Sequence, residues 1–298
     1  MPNTLGHLGI QTLATRGVLR NADVKWIWLA CILPDLPWIG QRVARAALPG
    51  TDPIDLRLYA IVQSSLAFAV LLSLALACFS RQLGRCFAIL AGGSALHLVL
   101  DAMQTKWGNG VVLWAPVRWD LLNVGLFWPE DAATAALTLL GLVVGALALW
   151  RSPKSAGDLR LPGRGGALLA ALAGGLYLVG PAALTGAAEA ADLHSAATLR
   201  PGADRAGRAV AFDRARLEVA PGGDAVLHVW TGDAFAVAGT VPERSGQVSV
   251  RGVFRDARTV ELQAVHAHPD GLRDMASYVG LALVAGFWLL CLVPRRRT

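Results

Sequence analysis

SALHLVLDAMQTKWGNGVVLWAP, running from Ser94 to Pro116, begins as an apolar helix and ends as a loop punctuated by glycine. His97 and Asp101 stand four residues apart in it, so imidazole and carboxylate share one helix face. The segment around them, Cys86 to Met103, is otherwise apolar enough to sit in a bilayer. A carboxylate near the centre of a membrane helix costs about 3 kcal/mol on insertion scales, so such residues are rare and mark function. The break at Trp107-Gly108-Asn109-Gly110 then places a backbone-rich loop beside the two polar groups.

The composition of the whole chain agrees with a membrane setting. Of 298 residues, 54% are hydrophobic and only 16% charged, with a mean hydropathy of +0.48; a soluble domain carries roughly 25% charged residues. The net charge of +6 comes from basic residues in short connections between apolar segments. That is the distribution of the positive-inside rule, and it needs no nucleic-acid partner. Cys31, Cys78, Cys86 and Cys291 all fall in apolar stretches and form no C-x-x-C, which reads as buried thiols. No signal peptide is expected, because Thr4 to Arg20 is too polar and no cleavage site follows an apolar run.

Outward from the central stretch, Pro2 to Arg20 predicts a short helix containing His7. The apolar segment from Val24 to Gly40 is interrupted by Pro34 and Pro37, so Asp35 falls at a helix break at membrane depth. Gln41 to Arg57 reads as a polar connection, and Asp52 and Asp55 as solvated within it. Tyr59–Phe79, Ala132–Trp150, Gly166–Gly186 and Met275–Val293 read as spans. Trp107, Trp114, Trp119 and Trp128 crowd the loop after Asp101, a density that suits a membrane–water interface. From about Ala188 to Arg273 short alternating segments separated by Gly and Pro turns predict a small antiparallel barrel or sandwich.

The expected fold is thus an all-α polytopic membrane protein of about six spans plus a short N-terminal helix, with a small all-β domain inserted before the last helix. The expected division is a helical domain over 1–187, the β-domain over 188–273, and a final helix with its basic tail over 274–298. Basic residues at Arg81 and Arg85, from Arg151 through Lys154 to Arg164, and at Arg295, Arg296 and Arg297 assign their loops to the cytoplasm. The Trp-rich loop and the β-domain then lie outside it, in a bacterial-type inner membrane. On the same reading Asp35, His97 and Asp101 reach the outer half, joined by His7 if the first helix dips into the membrane.

Those four side chains are the candidate metal ligands. Imidazoles and carboxylates together suit a divalent transition ion, zinc foremost and manganese second. Such an ion activates water and polarises a phosphoryl or carbonyl oxygen, with Asp35 or Asp101 able to double as general base. The competing readings are structural: His97 and Asp101 as a pair stapling two helices, and Asp35 as a helix cap. Arg118 and Trp107 are candidate substrate contacts, for a lipid phosphate and as a platform. His266-Ala267-His268 with Asp270 is similar to the H-x-H-x-D cluster of metallo-β-lactamase-like hydrolases, but that fold's flanking strands and other ligands are missing, and the two histidines share one strand face.

In its first half, from Met1 to about Trp150, the chain resembles the YdjM-type inner-membrane-associated metal-dependent hydrolases. The likeness is carried by His7-Leu8-Gly9, Ile32-Leu33-Pro34-Asp35, His97-Leu98-Val99-Leu100-Asp101, and the glycine turn at Trp107-Gly108 running to Pro116. It implies a membrane-bound metal-dependent hydrolase. Two departures stand out: Pro37 replaces a second aspartate, and Ser64, within Gln63-Ser64-Ser65, stands where the family's Thr-His-Ser motif has histidine. The function expected from all of this is hydrolysis of a phosphoester or ester of a lipid or lipid-linked substrate at the outer membrane–water interface. The alternative is a non-catalytic envelope scaffold whose β-domain binds a partner protein.

Overall fold

The computed structural model describes residues 3–153, 155–269 and 272–293. Lys154, Asp270 and the tail arginines Arg295, Arg296 and Arg297 lie outside the described residues. The chain opens with α1 (Thr4–Val18), capped by Asn3, whose side chain accepts from the Gly6 amide. A short α2 (Val24–Ala30) follows, then a single 3-10 turn over Leu33–Asp35, and α3 (Leu36–Ala47) restarts with proline in its first turn. α4 (Pro53–Gln63) and α5 (Leu66–Ala77) meet at 68° across Ser64 and Ser65. The long helices are α6 (Leu83–Ala102), α7 (Ala132–Arg151) and α8 (Arg164–Val179), and two short ones, α9 (Thr185–Ala190) and α10 (Ala196–Leu199), lead into the strands. The last helix is α11 (Leu272–Leu292).

The expected all-α architecture of about six spans is overturned on two counts. First, among the described residues only four helices are long and apolar enough to cross a membrane, or five if the bent α4–α5 pair counts as one. The prolines at 34 and 37 cut the Val24–Gly40 segment into pieces too short to cross. The apolar stretch from Tyr59 breaks at Ser64-Ser65, so it is not one straight span. Second, a closed five-stranded barrel stands beside the helices. Large apolar side chains such as Leu139, Leu172 and Leu289 remain exposed on α7, α8 and α11, the kind of surface that marks a membrane or protein contact.

The barrel consists of β1 (Ala209–Val219), β2 (Ala225–His228), β3 (Ala234–Gly239), β4 (Gly246–Phe254) and β5 (Thr259–His268), closing in the order β1-β2-β3-β5-β4. All pairings are antiparallel except β3 with β5, which is parallel. Closure leaves no free edge. Inward positions alternate along β1 until a bulge after Phe212; the next buried side chain is Ala215. The bulge absorbs Asp213 and Arg214, with Arg214 at a φ of 55°, and turns both towards the helices. The barrel core is continuous with apolar residues of α4 and α10, including Ile54, Leu58, Ile61 and Leu199. Gly108 (φ 66°) presses its loop onto β1, where a Cβ would overlap the Ala211 carbonyl. Only glycine serves both needs there.

The placement of α1 depends on close helix crossings. It packs most extensively on α7, where a Cβ on Gly141 would overlap the Leu5 carbonyl. Small residues at a crossing let two backbones approach. That approach seats His7 against α6.

Candidate functional site

The site assembles at the end of α6 remote from its N-terminus. His7 from α1, Asp35 from the break before α3, and His97 and Asp101 from α6 meet there. His7 Nε2 lies 3.2 Å from Asp101 Oδ1. His97 Nε2 lies 3.6 Å from Asp35 Oδ1 and 3.8 Å from Asp101 Oδ2. The two imidazoles stack with centroids 4.0 Å apart and planes 11° from parallel. Both rings are 0% exposed and Asp101 is 7% exposed.

Local sequence explains why each group is free to point here. Asp35 precedes α3 yet makes no side-chain capping bond, so its carboxylate is left for the site rather than the helix. His97 and Asp101 come from adjacent turns of one continuous helix. His7 and Gln11 occupy the same face of α1, and Gln11 is fully buried.

The polar atoms are poorly satisfied by the protein itself. Among the described residues, neither nitrogen of His97 has a hydrogen-bond partner, nor has His7 Nδ1, nor either amide atom of Gln11, nor Ser94 Oγ. Leaving a buried polar group unpaired costs about 1–3 kcal/mol, so such a concentration calls for a bound species. Separations of 3.6 and 3.8 Å are too long for hydrogen bonds. They approach the spacing of two ligands on one ion, since donors about 2.0–2.2 Å from a tetrahedral zinc stand roughly 3.4 Å apart. Single donor atoms of His7, His97 and Asp101 lie within 4.8 Å of one another. The residues present therefore fit a divalent ion.

A cavity of about 280 Å³ opens onto Asp35, His97 and Asp101. Its walls carry Arg42, Arg45, Arg57, Lys106 and Arg214, with Ser64 and Asp213 between them. Lys106 Nζ is 3.7 Å from Asp101 Oδ2. Arg57 is held between Trp38 and Trp230, 5.6 and 4.4 Å from the ring centroids, and donates to His194 Nδ1 at 3.0 Å. Arg42 has no hydrogen bond or ion pair among the described residues. The excess of cations over carboxylates suits an anionic guest.

This cationic wall is what reading the sequence missed. Gln41 to Arg57 reads as a polar connection, but most of it is helix: α3 presents Arg42 and Arg45, three residues apart, and α4 presents Arg57. The i,i+3 spacing of Arg42 and Arg45 was the available signal. Asp213 and Arg214 come from the bulge of a distant strand, and nothing local announced them. Asp52 and Asp55 are not free in solvent either, since Arg200 pairs with both and with Glu189.

The two expected substrate contacts lie elsewhere. Arg118 is exposed and paired with Asp120 at 3.1 Å. Trp107 meets Trp128 edge-on at 5.2 Å and sits under the Arg251 guanidinium at 4.7 Å. Neither lines the cavity; Trp107 and Trp128 are used to dock the barrel. His266 and His268 converge on Glu130, a residue just before α7.

Comparison of the chain with family models, with curated proteins and with solved structures returned no match.

Proposed function

We propose that this protein is a membrane-embedded, metal-dependent hydrolase acting on a phosphoester or ester of a lipid or lipid-linked substrate. The observation that carries the reading is the convergence of His7, Asp35, His97 and Asp101, from three separate elements, beneath a cavity walled by arginines. In this reading the four side chains hold the ion, zinc foremost. The ion supplies Lewis acidity towards water and towards a phosphoryl or carbonyl oxygen. The protein's own part is to exclude bulk water, to orient an anionic group through Arg42, Arg57 and Lys106, and to accept a proton at a carboxylate oxygen of Asp35 or Asp101. The YdjM-type likeness is consistent with this, and Ser64, where the family has histidine, lines the same cavity.

The membrane placement belongs to the same proposal. Among the described residues, four helices are long and apolar enough to cross a bilayer. Arg81 N donates to Asp158 O at 2.7 Å and Arg85 to Arg20 O at 2.6 Å, which gathers several basic residues at the end of α6 away from the site. The positive-inside rule assigns that end to the cytoplasm of a bacterial-type inner membrane, with the barrel and the cavity at the outer interface.

Elemental analysis of purified protein tests the reading. His97→Ala is expected to lose roughly one equivalent of zinc or manganese per chain and to stop hydrolysing a phospholipid in mixed micelles. A wild-type protein that carries no metal at this site and is unchanged by His97→Ala leaves the scaffold reading in its place.

A further inference from the structure

Away from the cavity floor, the barrel meets the helical layer through a second group of donors. Glu130 lies between the Trp-rich loop and α7; His266 and His268 lie two apart on β5 and so face the same way. His266 Nε2 contacts Glu130 Oε1 directly. His268 Nδ1 is 3.1 Å from Glu130 Oε1 and 3.3 Å from Oε2.

The other edge of His268 determines what its Nδ1 can do. His268 Nε2 is 2.8 Å from Ser249 Oγ, a fully buried hydroxyl. Ser249 has one hydrogen and donates it to Asp213 Oδ1 at 2.9 Å, while its oxygen accepts from the Arg214 amide at 3.2 Å. The hydroxyl proton being spent on Asp213, Ser249 can only accept from the ring, so Nε2 carries the hydrogen. A neutral His268 then turns a bare Nδ1 lone pair towards a carboxylate, and two acceptors at that distance need a cation between them.

The surroundings fix the donors in that pose. The Asp213–Ser249 relay orients His268, as a carboxylate behind a metal-bound histidine does elsewhere. Trp128 stacks on His266 with centroids 3.7 Å apart and planes 3° from parallel. Arg214, 3.9 Å from Glu130 Oε2, is also bonded to Gln247 Oε1 at 2.7 Å, so it braces the carboxylate from outside the group.

We propose that Glu130, His266 and His268 form a second site for a divalent transition ion, zinc by donor type, that clasps the barrel to the helical layer. The two imidazoles and the carboxylate offer donor atoms within 4.8 Å of one another and leave a fourth position of a tetrahedral ion open. Sequence spacing could not reveal it, because Glu130 arrives from 136 residues away. The site does not depend on the proposed hydrolase function.

Zinc per chain, measured in the full-length protein in detergent, tests it. Glu130→Gln, which keeps the shape of the side chain, is expected to lose roughly one equivalent, and Glu130→His, which restores a ligand, to keep it. His97→Ala is expected to retain this equivalent, so loss at either site is read separately. Removing zinc from His97→Ala with a chelator is expected to lower its melting temperature, and from Glu130→Gln in the same background to leave it unchanged. Equal zinc in His97→Ala and in the double variant His97→Ala with Glu130→Gln overturns the proposal and makes the group an imidazolium–carboxylate pair. If Glu130→Gln fails to fold, a His97→Ala protein that binds no zinc overturns it equally.

Discussion

The His7–Asp35–His97–Asp101 cluster and the Glu130–His266–His268 cluster are made of the same kinds of side chain in opposite surroundings. In the first, the two imidazole rings are sealed between helices at the floor of the cavity, and three of their nitrogens lack a hydrogen-bond partner among the described residues. The second lies at the barrel's junction, where Glu130 contacts both histidines and Ser249 holds the back of one. The difference shows how burial changes what a cluster needs. Sealed from water, an unpaired imidazole has no cheap alternative to an ion. At a partly exposed junction a proton can stand in for a metal, and the tautomer forced by Ser249 is what tips the balance.

The contrast breaks most visibly at the sealed cluster. Asp101→Asn keeps the volume of the side chain but removes a charge shared by His7, His97 and Lys106. On the hydrolase proposal, phospholipid hydrolysis is expected to fall by about a hundredfold, with the circular dichroism spectrum unchanged. Retained activity would show that this cluster is structural.

The next effect is on the packing that delivers His7. Gly141→Leu places a side chain where even a Cβ overlaps the Leu5 carbonyl, and overpacking of this kind costs about 1–3 kcal/mol. A lower melting temperature and weaker metal retention at the sealed cluster are expected, with zinc at Glu130 unaffected. Loss at both sites would mean that they are coupled through α7.

A smaller change is expected from Arg42→Gln, which deletes a cavity cation that has no partner among the described residues to leave stranded. A charge-assisted hydrogen bond is worth about 1.5–3 kcal/mol, so KM for an anionic lipid should rise about tenfold or more while kcat holds. An equal KM for anionic and neutral esters would remove the wall from substrate selection.

The smallest concerns the ion pairs that seat the chain leading into the barrel. Arg200 pairs with Asp52, Asp55 and Glu189, and its hydrogen bonds hold the Glu189 carboxyl below the usual glutamate range. A lowered folded-state pKa stabilises above the unfolded value and is lost as pH falls through the folded one. Arg200→Ala should therefore cost about 1 kcal/mol near pH 7, and the gap from wild type should close below about pH 4. A gap that is constant with pH would assign the effect to packing.

Much of the sealed cluster was legible locally. His97 and Asp101 announce themselves by helical spacing in an apolar stretch, and Asp35 by two flanking prolines. The helical layer was legible only in part, because hydropathy counts apolar length and does not register that Ser64-Ser65 turns the chain by 68°. The alternating strands were visible, whereas the parallel pairing of β3 with β5 was not. Strand periodicity reports which face is buried, not which strand lies alongside.

What the sequence by itself determined is the chemistry in reserve: apolar helices, an expensive histidine–aspartate pair, a proline break and a set of short strands. Their physical cause is local, since periodicity, proline geometry and the cost of charge in lipid act over a few residues. Only the tertiary structure decided which groups meet. Gly141 lets α1 bring His7 to α6, the β1 bulge turns Asp213 and Arg214 to the cavity, and Glu130 crosses 136 residues of chain to reach His266. Contacts so distant in sequence are set by close packing and chain closure, which no local pattern encodes.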